Sequence, residues 1–300
     1  MGFSAPKNYN EIFEETIYKT LRLIELGYID IVEKNIVKKW LSNFVSPEEK
    51  YLATIILNSL IFRNEDAIIK MFQTILQVKL PKIFKKLNMT FFSSIEDLEY
   101  KIKTNSEINK LNFCMSTIEG VDTNIGKSGE YLNRLLKKNQ IIFKTINYNI
   151  TSSNTKPNRL NTIIFIDDIV GTGTQFEKFY NKYKNKIEEF DNIIYIPLVG
   201  HELGINFLKT NFPNVIVEPL ELLNKTHTFF ESNLDKFDEI NTLEDLKIFY
   251  NEMIKKKGLV IKLTGFELNT LYIFNMSSPN TNLPLIYCEN KSWNRLFIRY

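Results

Sequence analysis

The sequence has only two cysteines, two histidines and no long apolar run. Cys114 and Cys288 lie far apart, each in or beside an apolar stretch, and neither has a C-x-x-C or His-rich setting. That argues against a disulfide framework or a thiolate metal site and reads as two buried free thiols. No run approaches the roughly 20 apolar residues that cross a bilayer, and no signal peptide is seen. The expectation is a cytoplasmic protein with no membrane partner. Charge of one sign is also lacking. Basic residues exceed acidic ones by only +3, so overall charge gives no reason to expect nucleic acid; a local basic patch would be needed.

What the chain does have is apolar mass. It carries 23 Phe and 14 Tyr in 300 residues, which argues against long disordered stretches and supplies one large core or two modest ones. From Tyr9 to Lys103 the pattern reads as helices only. Apolar residues recur at helical spacing in Ile12, Phe13, Ile17, Leu21 and Ile24, and again from Ile31 through Ile36, Val37, Trp40, Leu41 and Phe44. Ser46-Pro47-Glu48-Glu49 opens the next helix, with Ser46 as N-cap, Pro47 at N1 and Glu49 completing a capping box. A fourth helix follows Asn64 to about Pro81, and a fifth covers Ile95–Ile102.

The pattern then changes. Leu111–Met115, Thr162–Ile166, Ile193–Pro197 and Val215–Val217 are compact apolar runs, separated by helical stretches at 131–136, 175–186 and 202–210. Such alternation predicts a parallel sheet covered on both faces. A further helix covers Leu243–Lys257, and the tail from Thr264 reads as short strands and loops. The expected fold class is therefore α/β. A parallel sheet flanked by helices over residues 106–300 follows an all-helical module over residues 1–105.

One stretch carries chemistry. In Thr162-Ile163-Ile164-Phe165-Ile166-Asp167-Asp168-Ile169-Val170-Gly171-Thr172-Gly173-Thr174-Gln175 a strand ends in two carboxylates, and a Gly/Thr turn opens a helix. Ligands of open α/β sheets bind at the carboxyl ends of strands, where this turn lies. Gly171 and Gly173 permit close backbone approach. The amides at the helix start cradle a phosphate with help from the helix dipole, and the Thr172 and Thr174 hydroxyls donate to it as well. Asp167 and Asp168 accept from the 2′ and 3′ hydroxyls of a ribose. At a strand end the paired carboxylates are expected to face solvent, so that losing them costs little stability.

Other phosphate motifs fit less well. A Walker A loop needs a Lys after its last glycine, and Gly173 is followed by Thr174. A dinucleotide fingerprint needs a third glycine. A haloacid-dehalogenase phosphatase needs Asp where Ile169 stands, and a response regulator has no Gly-Thr-Gly turn. A purely structural turn is the bland alternative.

The stretch resembles the PRPP-binding motif of type I phosphoribosyltransferases: a hydrophobic strand, two acidic residues, two further positions, then a small residue, Thr and Gly. The resemblance implies ribose contacts from Asp167 and Asp168 as the catalytic pair, and a 5-phosphate held by Gly171, Thr172, Gly173, Thr174 and Gln175. The family pattern ends in a glycine followed by Thr or Ser, where Thr174-Gln175 stands here. The resemblance also implies a pyrophosphate loop after an earlier strand. The loop 119–129 has that place, with Lys127, Ser128 and Gly129 as candidates; an ordinary loop with Ser128 as N-cap is an equal reading. Mg²⁺ is expected through the pyrophosphate, with no direct protein ligand. The stretch Gly200–Gly204 follows another strand and has a place from which it could lie over the sugar. His201 is tempting as an acid or base near neutrality, though a lone His is more often structural.

The tail sharpens the resemblance. Leu263-Thr264-Gly265-Phe266, Leu271-Tyr272-Ile273-Phe274, Ser278-Pro279-Asn280-Thr281-Asn282-Leu283-Pro284-Leu285 and Trp293 with Leu296-Phe297 are similar to phosphoribosyltransferase-like proteins of bacterial conflict systems. These carry a winged-helix-like module and occur beside retron reverse transcriptases and in other anti-phage loci. The resemblance implies an anti-phage effector that binds a ribosyl phosphate or nucleotide, with a reverse transcriptase and its RNA/DNA product as a partner. It also brings Asn280 and Asn282 towards the nucleobase. The alternatives are a catalytically inactive nucleotide-sensing or scaffolding subunit, and a salvage phosphoribosyltransferase. Lys38, Lys39, Lys82, Lys85 and Lys86 read first as solvated faces and second as phosphate contacts.

Overall fold

In the computed structural model, which describes residues 2–89, 91–104, 111–118, 127–139, 148–153, 156–231, 241–259 and 268–299, the apolar runs of mid-chain form one parallel sheet. Strands β2 (Phe113–Thr117), β3 (Thr162–Val170) and β4 (Asn192–His201) lie side by side in that order. The outer edge of β4 pairs first with β5 (Val215–Val217) and then with β6 (Glu221–Leu223), all in parallel. Between β5 and β6 the Glu218 and Leu220 N–H groups still donate to the Tyr195 and Pro197 carbonyls of β4, both at 3.0 Å, so Pro219 stands where its missing N–H faces away from β4. The crossovers contain helices α7 (Lys127–Lys138), α8 (Thr174–Ile187) and α9 (Glu202–Asn211).

Because both faces of the sheet are covered, its strands read as continuous apolar runs without alternation. One face packs Phe165 and Tyr195 against Phe176, Phe179, Tyr180 and Phe212 of the crossover segments. Phe113, on the opposite face, meets Phe84 with ring centroids 5.1 Å apart. Phe84 belongs to α5 (Leu80–Lys86), which follows α4 (Glu65–Thr74) and precedes α6 (Ile95–Lys103). Between α4 and α5 the helix widens into a π turn, Ile75–Lys79. Pro81 accounts for the place: without an N–H it cannot bond the Gln77 carbonyl, so the preceding turn relaxes. The parallel α/β sheet flanked by helices is the fold class the sequence predicts.

Residues 66–223 form one compact unit and residues 1–65 with 224–300 form another, a grouping different from the sequential boundary expected near residue 105. The second unit is built from both sides of the sheet segment. It contains α1 (Tyr9–Glu25), α2 (Lys34–Leu41), α3 (Pro47–Asn58) and β1 (Ile61–Arg63), then α10 (Leu243–Lys256), β7 (Tyr272–Phe274) and α11 (Pro284–Tyr287). β1 interrupts a stretch read as helices only. Its exposed ladder groups find partners in β7, in parallel, with Ile61 opposite Tyr272. Among the described residues of 2–104 it is the single strand, so no wing hairpin accompanies the helices there.

The core of this unit joins its two sequence halves. Trp40 and Trp293 are both fully buried. Their indole N–H groups donate to the same acceptor, the Leu285 carbonyl, at 2.8 and 3.1 Å. A buried indole needs such a partner, and the shared carbonyl ties α2 to the tail. The expected capping box at Ser46 is present: Glu49 N–H donates to Ser46 Oγ at 3.2 Å and Ser46 N–H to Glu49 Oε2 at 3.4 Å. Ser46→Ala is expected to lower stability by about 1 kcal/mol in urea melts; an unchanged midpoint would show the box to be dispensable.

Candidate functional site

β3 outruns its neighbour. β2 pairs with it only as far as Ile166, and β3 continues for four more residues against β4 alone, to Val170 opposite Gly200. Both acidic residues fall on this extension, inside the strand rather than after it. They are not equivalent. Asp167 is 2% exposed, whereas Asp168 is half-buried. Both Asp167 oxygens are engaged within the fold. Tyr195 Oη donates to Oδ2 at 2.7 Å, and the Asp168 N–H donates to Oδ1 at 3.0 Å. The expectation that both carboxylates face solvent is therefore corrected for Asp167. The strand pairing explains why: Phe165 lies opposite Tyr195, so Asp167, two residues on, projects to the same closed face.

Burial pushes the Asp167 carboxyl well above the ordinary carboxylate range, and the neighbouring Asp168 charge adds to this, while the Tyr195 hydrogen bond opposes it. Burial likewise raises the Tyr195 phenol. The pair is held from above by α8, whose Phe176 stacks on the Tyr195 ring with centroids 4.2 Å apart at an interplanar angle of 21°.

The turn after β3 is shaped by two glycines. Gly173 has φ +85 and serves as N-cap of α8 without a side-chain cap. The left-handed conformation favours glycine, and the first-turn N–H groups of a 14-residue helix receive no side-chain acceptor from it. Thr172 Oγ1 and Thr174 Oγ1 lie 3.0 Å apart. Gly171 is held by Gly204 of α9: a Cβ on Gly204 would stand 2.3 Å from the Gly171 carbonyl oxygen and 2.9 Å from the Gly173 nitrogen. Backbone thus packs on backbone, and α9 sets the position of the turn.

A carboxylate at a strand end, followed by a glycine-capped helix start, can hold a hydroxylated sugar and its phosphate. In a comparison with known families, a family model described as PRTase-CE matches residues 37–299, most of the chain. The chain belongs to the PRTase-CE family. It is a phosphoribosyltransferase-like protein. No curated protein matches it.

In this PRTase-CE protein, α7 starts from the adjacent strand at the same sheet edge. Gly129, in its first turn, packs so closely on the end of β2 that a Cβ would stand 2.7 Å from the Ile118 carbonyl oxygen. Helix α7 packs against both β2 and β3. Residues 119–126 and the side chains of Lys127 and Ser128, the other pyrophosphate-loop candidates, lie outside the described residues. Gln175 is exposed on the first turn of α8.

Other candidate residues take part in the packing and capping of the fold. His201 is the N-cap of α9, buried, and its Nδ1 accepts from the Leu203 N–H at 3.3 Å. Gly200–Gly204 comprises the end of β4 and the start of α9, packed on the 171–173 turn. Asn282 belongs to the unit of the chain ends and is 2% exposed. Its amide is committed there to Tyr272, Thr270 and Ser278, which removes it from any nucleobase contact. Lys82, Lys85 and Lys86 line a groove of about 560 Å³ with Val78, Lys79, Ile83 and Glu218. None of these residues belongs to the 167–175 segment.

Sequence reasoning missed Tyr195 and treated Gly204 only as loop. A weak signal for the first exists: Tyr195 is the one hydroxyl-bearing residue in Ile193-Ile194-Tyr195-Ile196-Pro197, and a buried phenol requires a partner.

Proposed function

We propose that the chain binds the 5-phosphoribosyl group of PRPP or of a nucleotide at the 167–175 segment, and that pentosyl transfer is the chemistry of the site. The observation that carries this reading is the half-buried Asp168 on a strand extension, three residues ahead of a turn whose glycine N-cap leaves the start of α8 open to an anion. Asp168 accepts from the ribose hydroxyls, and the amides of 171–175 with the Thr172 and Thr174 hydroxyls bind the 5-phosphate. The start of α7 receives the pyrophosphate. Transfer breaks the bond between the anomeric carbon and pyrophosphate and forms one to the acceptor, through an oxocarbenium-like state that Asp168 stabilises by position and charge. Mg²⁺, carried in on the pyrophosphate, would supply neutralising charge for the leaving group. A single half-buried carboxylate fits an ion carried in with the ligand better than a protein cage. The similarity of the tail to conflict-system proteins extends the proposal to an effector role in anti-phage defence.

Calorimetric titration with PRPP and a panel of nucleotides, with and without Mg²⁺, tests the reading. Asp168→Asn is expected to weaken binding by about 30-fold to 100-fold, as loss of a charge-assisted contact does, and to abolish any plaque reduction the protein confers. Wild-type affinity in this variant, or no binding by the unmodified chain, would defeat the proposal and favour a scaffolding role.

A further inference from the structure

We propose that Tyr195 is a positioning residue for Asp168, acting through Asp167: the buried phenol fixes the Asp167 carboxyl, and that carboxyl fixes the backbone from which Asp168 presents its own. The proposal rests on the ribosyl-phosphate reading above and changes the division of labour within it. The two acids read as equals, but only Asp168 is placed to meet a ligand. Asp167 is 2% exposed, with Tyr195 Oη at 2.7 Å on one oxygen and the Asp168 N–H at 3.0 Å on the other.

The need for this support follows from the ladder. β2 stops pairing at Ile166, so β3 runs on with its β2 side unsupported by that strand just where the carboxylate must be held. The Asp167 side chain supplies an acceptor for the Asp168 N–H at this point. Tyr195 can hold Asp167 because it is itself immobilised, fully buried and stacked on Phe176. Phe176 follows Gln175 directly, so the same ring contact ties the phosphate turn and the ribose carboxylate to one anchor. A shift in Tyr195 would therefore displace both ends of the bound group.

The two acids then differ in what substitution removes. Asparagine at 167 keeps an acceptor for the Asp168 N–H and an amide that can meet the Tyr195 oxygen. Alanine keeps neither.

The experiment uses the full chain and the variants Asp168→Asn, Asp167→Asn, Asp167→Ala, Tyr195→Phe and the double variant Asp167→Ala with Tyr195→Phe. Each is assayed for thermal unfolding, for hydrogen exchange of the Asp168 amide, and for affinity towards ribose 5-phosphate and PRPP with Mg²⁺. Asp167→Asn is expected to stay within about threefold of the parent affinity, whereas Tyr195→Phe and Asp167→Ala each lose about tenfold and exchange the Asp168 amide about tenfold faster. Adding Tyr195→Phe to Asp167→Ala should weaken binding no further, because the two act in series. Rescue by asparagine separates positioning from general destabilisation, and if Tyr195→Phe melts too low to assay, the comparison of asparagine with alanine at 167 decides. Parent-like affinity and exchange in Tyr195→Phe, or a loss in Asp167→Asn as large as in Asp168→Asn, would overturn the proposal. Parent affinity in Asp168→Asn would instead defeat the ribosyl-phosphate reading, and faster Asp168 exchange in Tyr195→Phe would still report the coupling by itself.

Discussion

Gly204→Ala is expected to weaken ribose 5-phosphate binding by about 100-fold and to destabilise the sheet unit by about 3 kcal/mol. The added methyl group would meet the Gly171 carbonyl oxygen at 2.3 Å, its carbon at 2.9 Å and the Gly173 nitrogen at 2.9 Å. All three atoms are backbone, so no side-chain rotation relieves the clash. Either α9 lifts off the sheet, losing the packing of Ile205 and Leu208, or the turn moves away and carries the first amides of α8 with it. The second route is damaging even where stability survives, since anion binding at a helix start depends on where those amides point. Titration below the melting transition separates the two routes. Parent-like affinity in Gly204→Ala would show that the turn is not held from α9.

The largest effect on stability is expected at Asn282. Its Oδ1 accepts from the Tyr272 N–H at 3.0 Å and from Thr270 Oγ1 at 2.7 Å, while Nδ2 donates to the Tyr272 carbonyl and to Ser278 Oγ, both at 2.9 Å. One side chain thus does for Tyr272 what a neighbouring strand would do, satisfying both its N–H and its C=O. Asn282→Ala leaves these two backbone groups and the Thr270 hydroxyl without that partner in a site closed to water, and is expected to cost about 3–5 kcal/mol. Asn282→Asp should be nearly as harmful, because it replaces two donors with a buried charge. Urea unfolding of each variant measures the loss. A shift smaller than about 1 kcal/mol would mean that water enters and replaces the amide.

That role explains a sequence marker whose meaning was not legible. Ser278-Pro279-Asn280-Thr281-Asn282-Leu283-Pro284 announces an ordered turn, and Asn280 and Asn282 look alike as candidates for ligand contact. Only the fold shows Asn282 turned inward. The same limit applies to the two acids. The strand, its acidic end and its glycine turn are visible in residues 162–175, because turn chemistry and apolar runs are local properties. Which acid faces the core depends on the register with β4, in which Phe165 meets Tyr195 thirty residues on, and on the hydroxyl that register delivers. Helix α3 was legible down to its cap for the local reason. The π turn before Pro81 was not, since a continuous apolar period hides a change of hydrogen-bond ring. The grouping of the chain into units was hidden most fully, because β1 and β7 are three residues each and, although the tail reads as short strands, nothing local pairs it with Ile61–Arg63.

The shared carbonyl of Leu285 has a consequence for biosynthesis. Trp40 waits for an acceptor 245 positions downstream, and β1 waits for β7 across a comparable gap. A chain emerging from the ribosome at about 5–20 residues per second therefore holds α1, α2 and α3 for tens of seconds before their completing tail exists. Meanwhile the entire sheet unit has been made. Throughout that interval α1 can pack on α3, but the apolar surface that these helices bury against the tail stays without its partners, so these helices become native late, and in a crowded cell they are a part of the nascent chain that a chaperone has reason to hold.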